Sequence, residues 1–406
     1  MNLIFLTLAD IEGIESSSIY ADLMRKFRDE GHGVYIVSPS ERRYGQKTRL
    51  LEVDGAHILR VRTLNIQKTN VVEKGLGTLL IEWQYQRAIK KYLKGIRFDL
   101  ITYSTPPITF TNVVKYLKRE NPQAISYLQL KDIFPQNAVD IEMFTKNSPI
   151  YQYFRRKEKE LYNNSDYIGC MSPANVDYVR KHNSYYPRAR VEVAPNSIEL
   201  KRDDQKNNVD PSEMRTKFGL PIDKPIFIYG GNLGKPQGID FLIKCLEDNK
   251  ERQDCFFVVI GSGTEYPKLQ AWYEAQSGND GICVKVMSGL PKEDYDKLVG
   301  ACDVGLIFLD YRFTIPNYPS RLLSYLENRM PVICATDVNT DIGTIAEKNG
   351  YGYWCESRLA VDFTMLVNRI LSKPGRIKEM GARGYEFLCQ NYLVEHTYQA
   401  IMKHLQ

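Results

Sequence analysis

The chain has no C-x-x-C pair, no H-x-x-x-H or H-E-x-x-H pair, and no apolar run near the roughly 18 residues that a membrane-spanning helix needs. Its eight cysteines are scattered, most among apolar neighbours as in "QDCFFVVIG" and "VICATD", so they read as buried reduced thiols. A disulfide framework and a zinc cluster are both excluded on that pattern. The five histidines (32, 57, 182, 396 and 404) are equally dispersed, and no metal is expected. After Leu8 the run "ADIEGIESSSIYADLMRKF" has one glycine where a dinucleotide fingerprint needs three, which disfavours a Rossmann oxidoreductase. The apolar opening "MNLIFLTLADIEGIE" lacks a basic start and soon turns acidic, as a core strand does and a signal sequence does not. Tandem repeats and low-complexity tracts are missing as well.

What is there is material for two cores. With 406 residues, 43% hydrophobic and 25% charged, the chain exceeds what one core holds. Short β-branched and aromatic runs at 2–7, 33–38, 57–62, 98–103, 124–130, 166–171 and 190–194 alternate with segments of helical length at 16–30, 75–96, 107–120, 148–163 and 173–182. The polar stretch "KRDDQKNNVDPSEM" over 201–214 has the composition of a linker. Alternation then restarts, with strands near 225–230, 255–260, 282–287, 303–308, 331–335 and 351–354 and helices between them. The reading is α/β: two doubly wound domains, 1–200 and 215–385, with a last helical segment over 386–406 able to return to the first. Charge is unequal. Residues 1–200 hold 29 Lys and Arg against 22 Asp and Glu, the remainder 25 against 27, which points to an anionic partner for the first half or to solvated helix faces.

Candidate chemistry gathers at strand ends. In "KPIFIYGGNLGKPQGIDFLIKC" an apolar run breaks into Gly231, Asn232, Gly234 and Lys235 before a helix, a place where backbone amides can meet a phosphate. "VVIGSGTEYPKL" repeats the theme with Gly261, Ser262 and Gly263. Pro319, Ser320 and Arg321 open another helix, where amides and a guanidinium can grip a diphosphate. In the first half, Gly13 precedes Ser16-Ser17-Ser18 at a helix start, either an anion seat or a plain serine cap. "LKDIFPQN" sets Lys131 and Asp132 after a buried-looking strand. "ERRYGQKTR" and "EWQYQRAIKKYLKGIRF" mix aromatics with Arg42, Arg43, Lys90, Lys91 and Lys94. Ile81, Tyr85, Ala88, Ile89 and Tyr92 form a helical stripe that reads as core, while the cations can meet anionic lipid. No nucleic-acid motif accompanies them.

In this order and spacing, "SSSIYADLMRKFRDEGHGVYIVSPS", "DIFPQNAVDIEMF", "YIGCMSPANVDYV", "VEVAPNSIEL", "YGGNLGKPQGIDFLI", "VIGSGTE", "ACDVGLIFL" and "YPSRLLSYLENRMPVICATD" resemble the retaining glycosyltransferases of family 4. The likeness covers essentially the whole chain. Its Asp-aromatic-Pro segment and Gly-Asn-Leu-Gly loop look most like the branch that adds amino-deoxy sugars of the fucosamine type in O-antigen and capsule assembly. The resemblance implies a GT-B fold, two Rossmann-like domains facing across a cleft, the second holding a nucleotide-sugar donor and the first a lipid-linked oligosaccharide acceptor. It implies chemistry without cofactor or metal, with a UDP-sugar favoured, at a cytoplasmic location that can be peripheral to the inner face of the cell membrane.

Residue by residue, the resemblance puts Gly231, Asn232 and Gly234 near the donor diphosphate, and makes Arg321 the preferred cation, with Lys235 beside it. Asn232 and Gln237 stand where the family often carries arginine and lysine. Its two glutamates, eight positions apart, correspond to Pro316 and Ser324, neither a carboxylate; Ser324 can hydrogen-bond a ribose, and Glu327 lies one turn on. Asp132 matches the branch's aspartate and can orient or deprotonate the acceptor, contact the donor sugar, or cap a turn. Two rival readings share the architecture: a nucleotide-sugar 2-epimerase, for which cleft acids and bases are lacking, and a catalytically silent nucleotide-sugar binding protein.

Overall fold

In a computed structural model, all residues are described except 67, 68, 70, 201–209, 277–280, 374 and 406, together with the side chains of 71, 72 and 74. Two compact units emerge, one of residues 1–199 with 392–406 and one of 200–391.

The first unit runs β1 (Asn2–Leu6), α1 (Ile19–Asp29), β2 (Gly33–Glu41), β3 (Arg49–Val53), β4 (Ala56–Thr63), α2 (Val71–Tyr92), β5 (Leu100–Ser104), α3 (Thr111–Glu120), β6 (Ile125–Leu130), α4 (Gln136–Asp140), α5 (Pro149–Asn163), β7 (Tyr167–Cys170), α6 (Pro173–His182) and β8 (Val191–Val193). Its sheet has the order β3-β4-β2-β1-β5-β6-β7-β8, parallel but for β3. Strand β1 is central, with Phe5 opposite Ile36 on one side and Thr102 on the other. Both faces are covered, so β1 is a continuous apolar run rather than an alternating one. Strand β3 was not expected. It is an edge strand of mixed exposure, and it folds back through Asp54-Gly55, both at positive φ, the pair that a two-residue hairpin turn prefers.

The second unit runs α7 (Pro211–Lys217), β9 (Ile226–Asn232), α8 (Ile239–Asn249), β10 (Phe256–Ser262), α9 (Tyr266–Ala275), β11 (Val284–Ser288), α10 (Lys292–Gly300), β12 (Val304–Phe308), α11 (Arg321–Glu327), β13 (Val332–Thr336), α12 (Ile342–Lys348), β14 (Gly352–Glu356), α13 (Ala360–Leu371) and α14 (Arg376–Asn391). Its six parallel strands take the order β11-β10-β9-β12-β13-β14. Around each first strand the chain reverses direction across the sheet, so both units are Rossmann-like, with a topological switch point beside β1 and beside β9. The expected linker is partly outside the described residues, but 211–214 within it are helical. Asp210 caps α7 by accepting the Ser212 N–H at 2.9 Å, Pro211 takes the first turn, and Met214 is buried.

The chain then returns to the first unit as α15 (Val394–Met402). Ile198 and residues 392–394 exchange backbone hydrogen bonds of 3.0 Å, and the Tyr398 ring meets Phe27 edge-on at 4.9 Å. All eight cysteines are unpaired and seven are buried. Burial pushes the Cys255 and Cys355 thiols up to about 12, which leaves them protonated and inert. Among the described residues no helix is long and apolar enough to cross a membrane.

Candidate active site

The strand-end loop after β9 is shaped by what lies under it. Leu233, fully buried, plugs the loop into the end of β10: its N–H donates to the Ser262 carbonyl at 3.0 Å and its carbonyl accepts the Glu265 N–H at 2.9 Å. A Cβ on Gly261 would overlap the carbonyl oxygen of Gly231, and one on Gly263 that of Leu233. Gly261 and Gly263 therefore let two strand ends close on each other, while Ser262 is exposed. Gly231 itself sits at φ +125°, a conformation that side chains resist. Beyond it, the Asn232 amide donates to Gln237 Oε1 at 2.9 Å, and the Gly234 N–H donates to the same oxygen at 3.1 Å. A neutral amide clasp thus holds the loop, with Lys235 exposed on its rim.

Arg321, the first residue of α11, faces Gly231. Its guanidinium carbon stands 4.3 Å over the Tyr229 ring, and a Cβ on Gly231 would lie 3.4 Å from Nη2. Tyr295 from α10 and Tyr325 from α11 complete a tyrosine enclosure. Tyr325 accepts the Gly230 N–H at 3.2 Å, and burial pushes Tyr295 up to about 12, so it stays neutral. Arg321 has no carboxylate within salt-bridge distance among the described residues, and its buried Nη1 has no hydrogen-bond partner. A half-buried cation with a buried, unbonded nitrogen is costly unless an anion arrives. The loop that delivers it is pinned from the loop after β13: Thr340 Oγ1 accepts the Asn317 N–H at 3.0 Å and Asn339 Nδ2 donates to the Phe313 carbonyl at 2.7 Å. Pro319 and Ser320 precede Arg321 without a side-chain cap. Ser324 is half-buried one turn on, Pro316 is buried, and Glu327 is already engaged.

In the first unit, Lys131 and Asp132 leave the carboxyl end of β6, and Thr105 Oγ1 accepts both of their N–H groups at 3.0 and 3.1 Å. Asn137 Nδ2 donates to both Asp132 oxygens at 2.7 and 2.9 Å. Burial nevertheless raises Asp132 to about 6, opposed by Asn137, and lowers the Lys131 amine to about 7. Both groups therefore change charge near neutrality.

The remaining candidates lie apart from these. The Ile14 N–H next to Gly13 donates to Asp54 Oδ2 at 3.0 Å, and Ser18 caps α1 by accepting the Ala21 N–H at 3.1 Å. Arg42 pairs with Glu73 at 2.8 Å and Arg43 with Glu41 at 2.5 Å, whereas Lys90, Lys91 and Lys94 are exposed. The D-x-D run Asp294-Tyr295-Asp296 lies on α10, with Asp294 paired to Lys217 at 2.8 Å and Asp296 to Lys292 at 2.9 Å.

Residues 17–202 match the family model of Glycosyltransferase Family 4, and residues 210–387 that of Glycosyl transferases group 1. The chain is a glycosyltransferase, its first half matching one of these family models and its second half the other. Over 331 residues the transferase is 22% identical to the Pseudomonas aeruginosa protein WbjE, named as a glycosyltransferase, covering 80% of this chain and 78% of that one. It is 23% identical over 156 residues to Escherichia coli K12 WcaI, named for colanic acid biosynthesis, covering 38% and 37%. The solved structure of Anabaena HepE in complex with UDP superposes with a TM-score of 0.68 at 15% identity, covering 100% and 99%, and shares the GT-B fold. The tyrosines around the transferase's Arg321 were missed from sequence. Only Tyr229, beside the glycine pair, carried a local signal.

Proposed function

We propose that the enzyme moves a sugar from a nucleoside diphosphate donor to a lipid-linked oligosaccharide in bacterial surface-polysaccharide assembly, with retention of anomeric configuration. A UDP-sugar, of the amino-deoxy fucosamine type, is the favoured donor. The observation that carries this reading is Arg321: a half-buried guanidinium with no carboxylate in salt-bridge range among the described residues, facing a glycine whose missing side chain leaves it open. A diphosphate supplies the anion it lacks, and its fork can take two phosphate oxygens. As the sugar–oxygen bond breaks, negative charge grows on the leaving diphosphate, and Arg321 stabilises that charge without reorganising. Retention follows if the acceptor hydroxyl attacks from the side on which the diphosphate departs, so positioning matters more than a paired-carboxylate mechanism. Asp132 is assigned to the acceptor hydroxyl or the donor sugar, and Lys131 beside it to their electrostatic setting. Ser324 is assigned to the ribose. The reaction is proposed to need no metal or cofactor. The names of WbjE and WcaI support the biosynthetic setting, and the UDP in the HepE structure supports the nucleotide.

Calorimetric titration with UDP, GDP, dTDP and CMP tests this. UDP is expected to bind, and Arg321→Ala to weaken it by about 2–3 kcal/mol, the loss of a charged hydrogen-bonded pair. Failure of every nucleotide to bind at millimolar concentration overturns the reading.

A further inference from the structure

Helix α2 carries two apolar stripes, and only one is covered. Ile81, Tyr85, Ala88 and Ile89 are buried. On the other side, Leu76, Leu79, Leu80 and Trp83 follow one another at i, i+3, i+4 and i+7, with relative exposures of 51%, 50%, 43% and 57%. A row of three leucines and a tryptophan turned outward is unlike the scattered apolar residues of an ordinary surface. The same face continues at helical spacing as Arg87, Lys90, Lys91 and, just past the helix end, Lys94, all exposed. The one acid between residues 76 and 94 is Glu82, and its carboxylate is turned to α3, where it accepts the N–H and, at 2.8 Å, the side-chain amide of Asn112. Lys90 and Arg119 of α3 share the Tyr116 ring, at 4.8 and 5.5 Å, which extends the basic end sideways.

We propose that this face of α2 docks on an anionic lipid surface, with Trp83 and the leucines entering the interface and the cations lying among the headgroups. The charge pattern selects that occupant. In a second copy, a parallel α2 would set cations against cations, and an antiparallel one would set the leucine row against them. A bilayer surface offers both an apolar layer and negative charge within reach of one helix face. This inference stands apart from the donor reading, since no donor residue belongs to α2.

The test is flotation of the full chain with vesicles of equal parts phosphatidylglycerol and phosphatidylcholine, and with phosphatidylcholine alone. Binding to the mixed vesicles with a blue shift of tryptophan fluorescence that Trp83→Glu removes is expected, absent from neutral vesicles. Combined Leu79→Glu, Leu80→Glu and Trp83→Glu should weaken binding at least about tenfold. Each of Lys90→Gln and Lys91→Gln should weaken it about fivefold in low salt. If the triple variant loses its thermal transition, Trp83→Glu alone supplies the comparison. Equal binding to both vesicle types, binding untouched by the glutamates, or a dimer in sedimentation that Trp83→Glu dissolves would each overturn the proposal. UDP affinity measured on the same variants reads the donor site independently.

Discussion

In each domain the first strand is buried and is followed by a glycine-bearing loop and a helix, and the two loops are finished in opposite ways. After β1, the amides of residues 14 and 15 point at the Asp54 carboxylate, supplied by the hairpin between β3 and β4, and a Cβ on Gly13 would fall 2.7 Å from its Oδ2. That loop already has its anion. After β9, the glycine faces Arg321, which has a cage of tyrosines and, among the described residues, no carboxylate in salt-bridge range. That loop has a cation waiting for one. A glycine turn before a helix thus takes its chemistry from the side chains that the rest of the fold brings to it.

The largest effect on this contrast should come from Gly261→Ala. The added methyl must displace the Gly231 carbonyl, which is backbone and cannot swing aside, so the strand ends separate and Gly231 shifts against Arg321. A loss of about 2–4 kcal/mol in urea denaturation is expected, with UDP binding lost alongside. Unchanged stability would mean that the two strand ends are not locked as described. Asp54→Asn should do much less. Asparagine keeps the turn's left-handed backbone and one acceptor for the Ile14 N–H but removes the charge, so about 0.5–1 kcal/mol is expected, with UDP affinity unaltered. A large fall in UDP affinity would show that the first loop belongs to the donor site after all.

The alternation of strands and helices was legible because both sheets are parallel and covered on two faces, which turns strands such as Ile226–Tyr229 and Val304–Phe308 into unbroken apolar runs. Strand β3 escaped since it is half-exposed and interrupted by charge, although Asp54-Gly55 marked its turn. The loop holding Gly231, Asn232 and Gly234 was visible as a glycine-bearing break in an apolar run. The partners that give them meaning were not: Tyr295 and Tyr325 arrive from separate helices, and Asp54 reaches Gly13 through a hairpin, by contacts that only the tertiary fold creates. Likewise, periodicity in α2 marks Ile81 and Tyr85 as apolar, but it cannot say that Leu76 and Trp83 stay uncovered.

The smallest effect tests whether the second loop is limited by charge. Asn232 is exposed, and its amide donates to Gln237, so Asn232→Arg exchanges one neutral hydrogen bond for a second cation beside Gly231. The lost bond costs about 0.5–1.5 kcal/mol, and an exposed cation near a diphosphate gains a similar or slightly larger amount at low ionic strength. A rise of about threefold in UDP affinity is expected at low salt, fading as salt is added, while affinity in high salt stays near that of the parent chain. A salt-independent change would instead reflect rearrangement of the Asn232–Gln237–Gly234 clasp. No change at any salt would mean that Arg321 alone already satisfies the diphosphate, which would place the two loops further apart still: one closed by its own carboxylate, the other completed by a single guanidinium.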